Sequence, residues 1–339
     1  MIWFDHTKAR AARHKSGLMR VSARLAEELG DDARLAPWTD VQRHATASDW
    51  FVTAELFSEE ERPGFRAFLE SRRCRTAAIF HDAIPLRYPE ISWPQSVARH
   101  PDYMKTLHRF DRVWAVSEAS ARDLRDYWRW LGVSPMPEVS VLRLGSDFDR
   151  EPRVAAAATA PAPVLLSVGI VEPRKNQTLL LDACAALWCE GLSFELHFVG
   201  RVNPHFGKPI VRAIKQARRE FPGLHFHEAA DDRTLAKLYR RARATLFPTI
   251  AEGCGLPLLE SLWRGVPCVC SDLPVLQENA ADGGCVSVAL NDRDAWSAAI
   301  RRVLADDAHW RSLAEKAASR SLPTWADTAR ALRDGLGGA

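Results

Sequence analysis

Short apolar runs alternate with longer amphipathic stretches along this chain, and the alternation restarts after a segment rich in Ala and Pro. In the first half, "IWF", "TAAIFHD", "RVWAVS" and "VSVLRLG" read as strands. "GLMRVSARLAEELG" reads as a helix stopped at Gly30, and "EASARDLRDYWRWLG" as a helix capped by Ser117 and ended before Gly132. "REPRVAAAATAPAPV" has little periodicity and reads as a linker. Beyond it, "VLLSVGIV", "FELHFVG", "LHFHEA", "ATLFPT" and "PCVCS" are strands separated by amphipathic helices. Strands that are apolar on both faces must be covered on both faces, so the pattern predicts α/β architecture with parallel sheets between helices. Because it occurs twice, it predicts two doubly wound, Rossmann-like domains facing across a cleft, with ligands outside the carboxyl ends of the strands. The boundaries fall at 1–150 for the first domain, 151–163 for the linker and 164–322 for the second, with a last helix over 323–339.

Composition narrows the class. The chain has 339 residues, 47% hydrophobic and 26% charged, enough apolar material for two cores. No stretch approaches the ~18 apolar residues of a membrane span. The N-terminus has an acid at Asp5 and no apolar core of a signal peptide, so the expected location is cytoplasmic. Seven cysteines without CxxC spacing fit a reduced protein. The net charge of +3 says little, but Lys8, Arg10, Arg13, Lys15, Arg20 and Arg24 precede the first close acids, Glu27 and Glu28. That cluster reads as a solvated basic face or as a surface for an anionic partner. No recognised nucleic-acid module is present, and no nucleic-acid partner is expected.

"EGCGLPLLE" places Glu252 and Glu260 eight positions apart. On one continuous helix they would be about 12 Å apart, too far for a hydrolytic carboxylate pair at roughly 5–9.5 Å. Gly255 instead suits a loop end and Pro257 a first helical turn, leaving Glu252 in the loop. Gly253, Cys254 and Gly255 then offer N–H groups at a helix start, an anion site, while each glutamate accepts hydrogen bonds from hydroxyls on either side of the phosphates. The bland alternative is a tight strand-to-helix turn with Glu260 on the helix surface. In "SVGIVEPRKNQ" a strand ends at Gly169, and Arg174 and Lys175 follow in the loop. Two cations at a helix start read either as a solvated basic pair or, because positive charge there is mildly unfavourable, as partners of a bound diphosphate. The D-x-D patterns in "SDFD" and "NDRD" read as turns. His225 and His227 alternate on a strand with no third ligand in sight, so no metal site is expected there.

Taken together, these stretches resemble the retaining glycosyltransferases of family 4, which have the GT-B fold. "EGCGLPLLESLWRGVPCVCSD" is similar to that family's E-x7-E signature and "VGIVEPRKNQTLLLDA" to its donor-phosphate loop. "HDAIPLRYPE", "AVSEASARDL", "VLRLGSDF" and "HKSGLMRVSARL" resemble its first-domain landmarks, and "TWADTARAL" its terminal helix crossing back to the first domain. The resemblance implies Glu252 on the donor sugar and Glu260 on the nucleotide ribose. It implies the Gly253–Leu256 backbone, Leu256 included, on the sugar or distal phosphate. Arg174 and Lys175 would stabilise the departing diphosphate. His81, with Asp82 beside it, would face the reacting centre; Arg20 would serve the acceptor side, Gly17 would let the first loop approach the donor phosphates or the acceptor, and Gly169 would lie on the donor. No cofactor or metal is implied beyond the nucleotide diphosphate sugar. The short first domain departs from the family, as does Cys254, which stands where it often has an apolar or aromatic residue. "EPRKN" and "HDAIPL" resemble bacterial surface-polysaccharide enzymes, many of which use GDP-mannose and lipid-diphosphate-linked acceptors. This implies a glycan or lipid-linked acceptor and peripheral contact with the inner-membrane surface. The tryptophans of "DYWRWLG" nonetheless read as core. A sugar-nucleotide epimerase of the same fold and a non-catalytic nucleotide-sugar-binding scaffold are the alternatives.

Overall fold

The computed structural model describes residues 1–8, 17–147, 150–154 and 163–337. Contacts divide the chain into two compact units, Met1–Phe148 with Pro323–Ala339, and Asp149–Leu322. Most of the segment read as linker, residues 155–162, lies outside the described residues. Its start belongs to the second unit: Arg153 donates to the carbonyls of Ala317 and Ala318, and Trp263 Nε1 donates to Glu151 O at 3.0 Å.

The first unit contains β1 (Ile2–Asp5), β2 (Ala33–Ala36), β3 (Trp50–Thr53), β4 (Arg75–Phe80), β5 (Arg112–Ala115) and β6 (Val139–Val141). All neighbours are parallel, in the order β2-β1-β3-β4-β5-β6. The second unit contains β7 (Val164–Val168), β8 (Glu195–Val199), β9 (Leu224–His227), β10 (Ala244–Phe247), β11 (Cys268–Ser271) and β12 (Cys285–Val288). It too is wholly parallel, in the order β12-β11-β10-β7-β8-β9. Counted within its unit, that is the doubly wound order 3-2-1-4-5-6 of dinucleotide-binding sheets, whereas the first unit has the flavodoxin-like order. The sheet cores are apolar on both faces, as the runs predict. Leu165, Leu196, Phe198 and Leu246 pack against one layer of helices, and Leu166 and Val199 against the other.

The caps follow the sequence. Ser117 accepts the N–H of Ser120 at 3.0 Å, and Gly132 sits at φ 70° just past that helix. The last helix, Trp325–Gly335, opens with a capping box between Thr324 and Asp327. It is held in the first unit by Trp325 N–H on Asp147 Oδ1 (2.7 Å) and Thr328 on Arg143 O (2.9 Å). Asp147 of "SDFD" is therefore an anchor for the returning helix, and Asp292 of "NDRD" is the N-cap of the helix Arg293–Ala305.

Two readings are corrected. Trp128 is core, but Trp130 is 78% exposed and stacks on Tyr127, because the helix turns that face outward. In the basic cluster, Arg24 is buried and paired with Glu27 and Glu28 at 2.9 Å, so it is not a solvated cation. Arg10, Arg13 and Lys15 lie outside the described residues.

Candidate functional site

In the second unit the chain leaves β7 toward β8 and β9, then returns to β10 on the other side of β7. The loops after β7 and β10 therefore flank the switch point where such sheets bind ligands. They are stitched together by Ile250 N–H on Arg174 O (2.9 Å), and Thr249 Oγ1 lies 3.1 Å from the same carbonyl. Close packing behind the first loop requires a glycine: a Cβ on Gly200 would lie 1.9 Å from Gly169 O.

This stitching brings Arg174, Lys175 and Glu252 together. Glu252 Oε1 accepts from Arg174 Nη1 (2.8 Å), Thr249 Oγ1 (2.8 Å) and Lys175 Nζ. All three donors fall on Oε1, and Oε2 has no hydrogen-bond donor among the described residues. Arg174 is further committed to Ala251 O (2.9 Å) and, through Nε and Nη2, to Glu172 Oε1 (2.9 and 2.8 Å). Glu172 is itself fixed by Asn203. Lys175 differs: its Nζ lies 4.7 Å from the Phe247 ring centroid, and Glu252 is its one acceptor among the described residues. It is buried with ammonium hydrogens to spare. Burial pulls the Lys175 ammonium below its ordinary value, only partly offset by Glu252. Burial alone would raise the Glu252 carboxyl, but Lys175 and Arg174 outweigh it and hold the group below the usual carboxylate range.

Gly255 is the residue before the helix Leu256–Trp263, at φ 81°, and a Cβ there would meet Leu276 Cδ2 at 2.6 Å. Pro257 lies in the first turn, as the sequence predicts. Gly253 is buried in the turn, and Leu256 opens the helix. Cys254 gives its carbonyl to Asn279, and burial pushes its thiol up to about 12. Glu260 is not on the helix surface. It is 2% exposed, with Tyr239 Oη 3.4 Å from its Oε2 and the Arg264 guanidinium stacked over that tyrosine. Gly169 ends β7's extension and packs on the Lys175 stem.

In the first unit, His81 follows β4 and is buried, with Nε2 2.8 Å from Ala54 O. Burial pulls its pKa down, so the ring is neutral at physiological pH. Asp82 caps the N–H of Ile84 (3.0 Å), and its carbonyl meets His100 Nε2 at 2.9 Å. Gly17 is exposed at the start of the helix Gly17–Leu29, with Arg20 one turn on.

Sequence reasoning passed over Glu172, Thr249 and Asn203. The signal for Thr249 was its place three residues before Glu252, at the mouth of a strand. It also passed over a buried network at the carboxyl ends of β1 and β3. There Arg62 bonds Asp5 (2.8 Å) and Glu55 (2.5 Å), Thr53 bonds Asp5 (2.7 Å), and Glu55 accepts the N–H of Lys8 (2.8 Å). The reading of His225 and His227 as lacking a third ligand is corrected as well. β8 sets Glu195 and His197 beside them, because residues two apart on neighbouring strands share a face.

The model of glycosyl transferases group 1 matches residues 150–320, half of the chain, and the chain belongs to that family. It is 32% identical over 252 residues to the serotype-specific mannosyltransferase WbdA of Escherichia coli, covering 68% of this chain and 30% of that protein. It is 29% identical to O-antigen chain mannosyltransferase B of Escherichia coli, covering 73% of this chain and 65% of that one. The chain thus spans about 30% of the length of WbdA. Its fold matches Anabaena Alr3699/HepE, solved with UDP-glucose, at TM-score 0.74 and 15% identity over 99% of this chain and 98% of that one. Sucrose-phosphate synthase of Thermosynechococcus elongatus matches at TM-score 0.70 and 18% identity, covering 98% of this chain and 97% of that one. The fold is GT-B. Among the described residues, no helix is long and apolar enough to cross a membrane.

Proposed function

We propose that this chain is a retaining glycosyltransferase that moves a hexose from a nucleotide diphosphate sugar to a glycan or lipid-linked acceptor in surface-polysaccharide assembly. The observation that carries the reading is the Glu252–Lys175 pair at the switch point. One carboxylate oxygen is fixed by three donors while the other has none among the described residues, beside an ammonium with hydrogens to give. In this reading Glu252 Oε2 accepts from a donor-sugar hydroxyl. Lys175 meets the diphosphate, stabilising charge where it develops as the sugar–phosphate bond breaks. Arg174, already committed to Glu172 and Glu252, contributes field and orientation. Glu260 serves the ribose, and the Gly253–Leu256 backbone serves the sugar or distal phosphate. His81, Asp82 and Arg20 serve the acceptor side, Gly17 lets the first loop approach the donor phosphates or the acceptor, and the leaving phosphate helps take the acceptor's proton. The site's own cations supply the positive charge, so no metal ion is required. Mannose, carried by GDP, is the first donor to try, because the relatives WbdA and mannosyltransferase B are named mannosyltransferases. The proposed location is cytoplasmic, with peripheral contact at the inner membrane.

The test is to incubate the purified chain with GDP-mannose, UDP-glucose and UDP-N-acetylglucosamine, with and without a mannose oligosaccharide acceptor and EDTA. The expected result is one donor consumed only with acceptor, a product of unchanged anomeric configuration by NMR, and no loss with EDTA. Isomerisation of donor alone would make the chain an epimerase. Neither turnover nor a melting shift with any donor would leave a scaffold.

A further inference from the structure

We propose that Glu195, His197 and His225 form a binding site for a divalent transition-metal ion of the zinc type, clasping the edge strand β9 to β8, with His227 as a positioning residue. The two strands are in parallel register, His197 opposite His225 and Val199 opposite His227. Glu195 and His197 thus share one face with His225 and His227. One ligand atom from each of Glu195, His197 and His225 lies within 4.8 Å of the other two. The His197 and His225 rings stack at 4.4 Å, and the His197 and His227 rings at 5.2 Å.

His197 is buried, and its two nitrogens have distinct neighbours: Nε2 lies 2.8 Å from Glu195 Oε2, and Nδ1 lies 3.0 Å from His227 Nε2. If Nδ1–H donates to His227, the Nε2 lone pair points at a carboxylate oxygen. Two acceptors at that distance need a cation between them. A metal ion meets that need by binding both. His227 would then fix the ligating tautomer, as outer partners of metal-bound histidines do. Two imidazoles and one carboxylate suit zinc with an open fourth position, whereas magnesium and calcium prefer oxygen ligands. Arg241 Nη2, 3.1 Å from Glu195 Oε2, is the competing cation, but its side chain is 55% exposed and can swing aside. A surface cavity of ≈ 750 Å³ is lined in part by Glu195 and His225 and gives an ion a way in. The cluster lies within the strands, not in the carboxyl-end loops that carry Lys175 and Glu252, so it is separate from the transfer site.

The test uses the untagged full chain, stripped with a chelator and titrated with Zn²⁺, Co²⁺ and Mg²⁺ by calorimetry and by absorption. One Zn²⁺ per chain is expected, with a raised melting temperature, and Co²⁺ should give visible bands without thiolate charge transfer. His225→Ala should weaken binding at least 100-fold, and His227→Ala roughly 10- to 100-fold, with partial rescue by His227→Gln. Absence of stoichiometric zinc binding overturns the proposal. So does binding unchanged in His225→Ala and Glu195→Gln, or a Co²⁺ spectrum of thiolate ligation. If His225→Ala does not fold by circular dichroism, Glu195→Gln, whose side chain is 40% exposed, decides alone.

Discussion

Each unit carries a cluster of charges where its sheet changes direction, and the two clusters are built to opposite ends. In the first, Arg62, Asp5 and Glu55 are 1%, 0% and 2% exposed. The guanidinium has a carboxylate at each terminal nitrogen and lies over the Phe57 and Phe65 rings. Its acceptors are spent on Thr7, Lys8 and Thr53 of the same unit. In the second, among the described residues, Glu252 has one oxygen without a donor and Lys175 has a single acceptor. Buried charge alone does not mark a ligand site. What separates a strut from a site is whether the carboxylate oxygens are all taken up: Asp5 and Glu55 accept on both oxygens from groups of their own unit, whereas Glu252 Oε2 has no donor among the described residues.

The sharpest way to break this contrast is Arg62→Ala. It strands two buried carboxylates and releases the start of the first loop, so it should cost about 3–5 kcal/mol of stability. Urea denaturation measures it. A variant of unchanged stability that could no longer use donor would turn the strut into a site and abolish the distinction.

Next is Lys175→Met, which keeps the stem's packing and removes the charge. Turnover should fall about 10²–10³-fold, or roughly 2.7–4 kcal/mol of transition-state stabilisation. Stability should fall by less than in Arg62→Ala, because Arg174 and Thr249 still donate to Glu252 and the ammonium's own desolvation penalty disappears with it. The unfolding midpoint and kcat, measured on the same preparation, separate the two. A midpoint that collapses along with the rate would put Lys175 with Arg62 as a structural charge.

That asymmetry shows how far the sequence could be read. The alternation of apolar runs gave parallel sheets on both sides of the linker, since burial on two faces leaves a direct trace in composition. Arg174, Lys175 and Glu252 were legible because charges and glycines at strand ends are out of place in a simple turn. Ala33–Ala36 left no such trace as a strand, its middle residues being exposed at a sheet edge. Trp38–His44 and Phe65–Glu70 are too short to show a helical period. Arg62 was invisible because its partners lie 57 and 7 positions away, and only the fold brings them to it. The pairing of His225 with His197 was hidden for the same reason.

A smaller effect compares the acid sensitivity of the two regions. Burial depresses the His81 pKa below its ordinary 6.5, and that of His100 in the same direction. The unfolded chain then takes up a proton before the native one. Stability from His81 is therefore full above about pH 6.5 and is lost as pH falls toward its folded value, at up to about 1.4 kcal/mol per pH unit. Glu252, depressed from 4.5, erodes stability only at lower pH. His81→Gln should flatten the melting curve between about pH 6.5 and 5 and leave the steeper loss below it. An unchanged slope would show His81 protonated in the fold.

The smallest effect tests how Glu252 is held. Thr249 Oγ1 gives Oε1 its one neutral donor, at 2.8 Å, and also lies 3.1 Å from the carbonyls of Arg174 and Ala251. Thr249→Val keeps the shape and removes the hydroxyl. The two charged donors remain, so the carboxylate stays ionised and in place, and the loss is that of one hydrogen bond, about 1 kcal/mol in stability. If the hydroxyl also keeps Oε1 occupied so that Oε2 faces the sugar, the variant loses orientation as well. Its KM for donor should then rise about fivefold with kcat nearly unchanged, because a ground-state contact is loosened before any charge develops. A fall in kcat at constant KM would move Thr249 from holding Glu252 to acting in the transition state. The open oxygen would then not be what distinguishes this cluster from the closed one around Arg62.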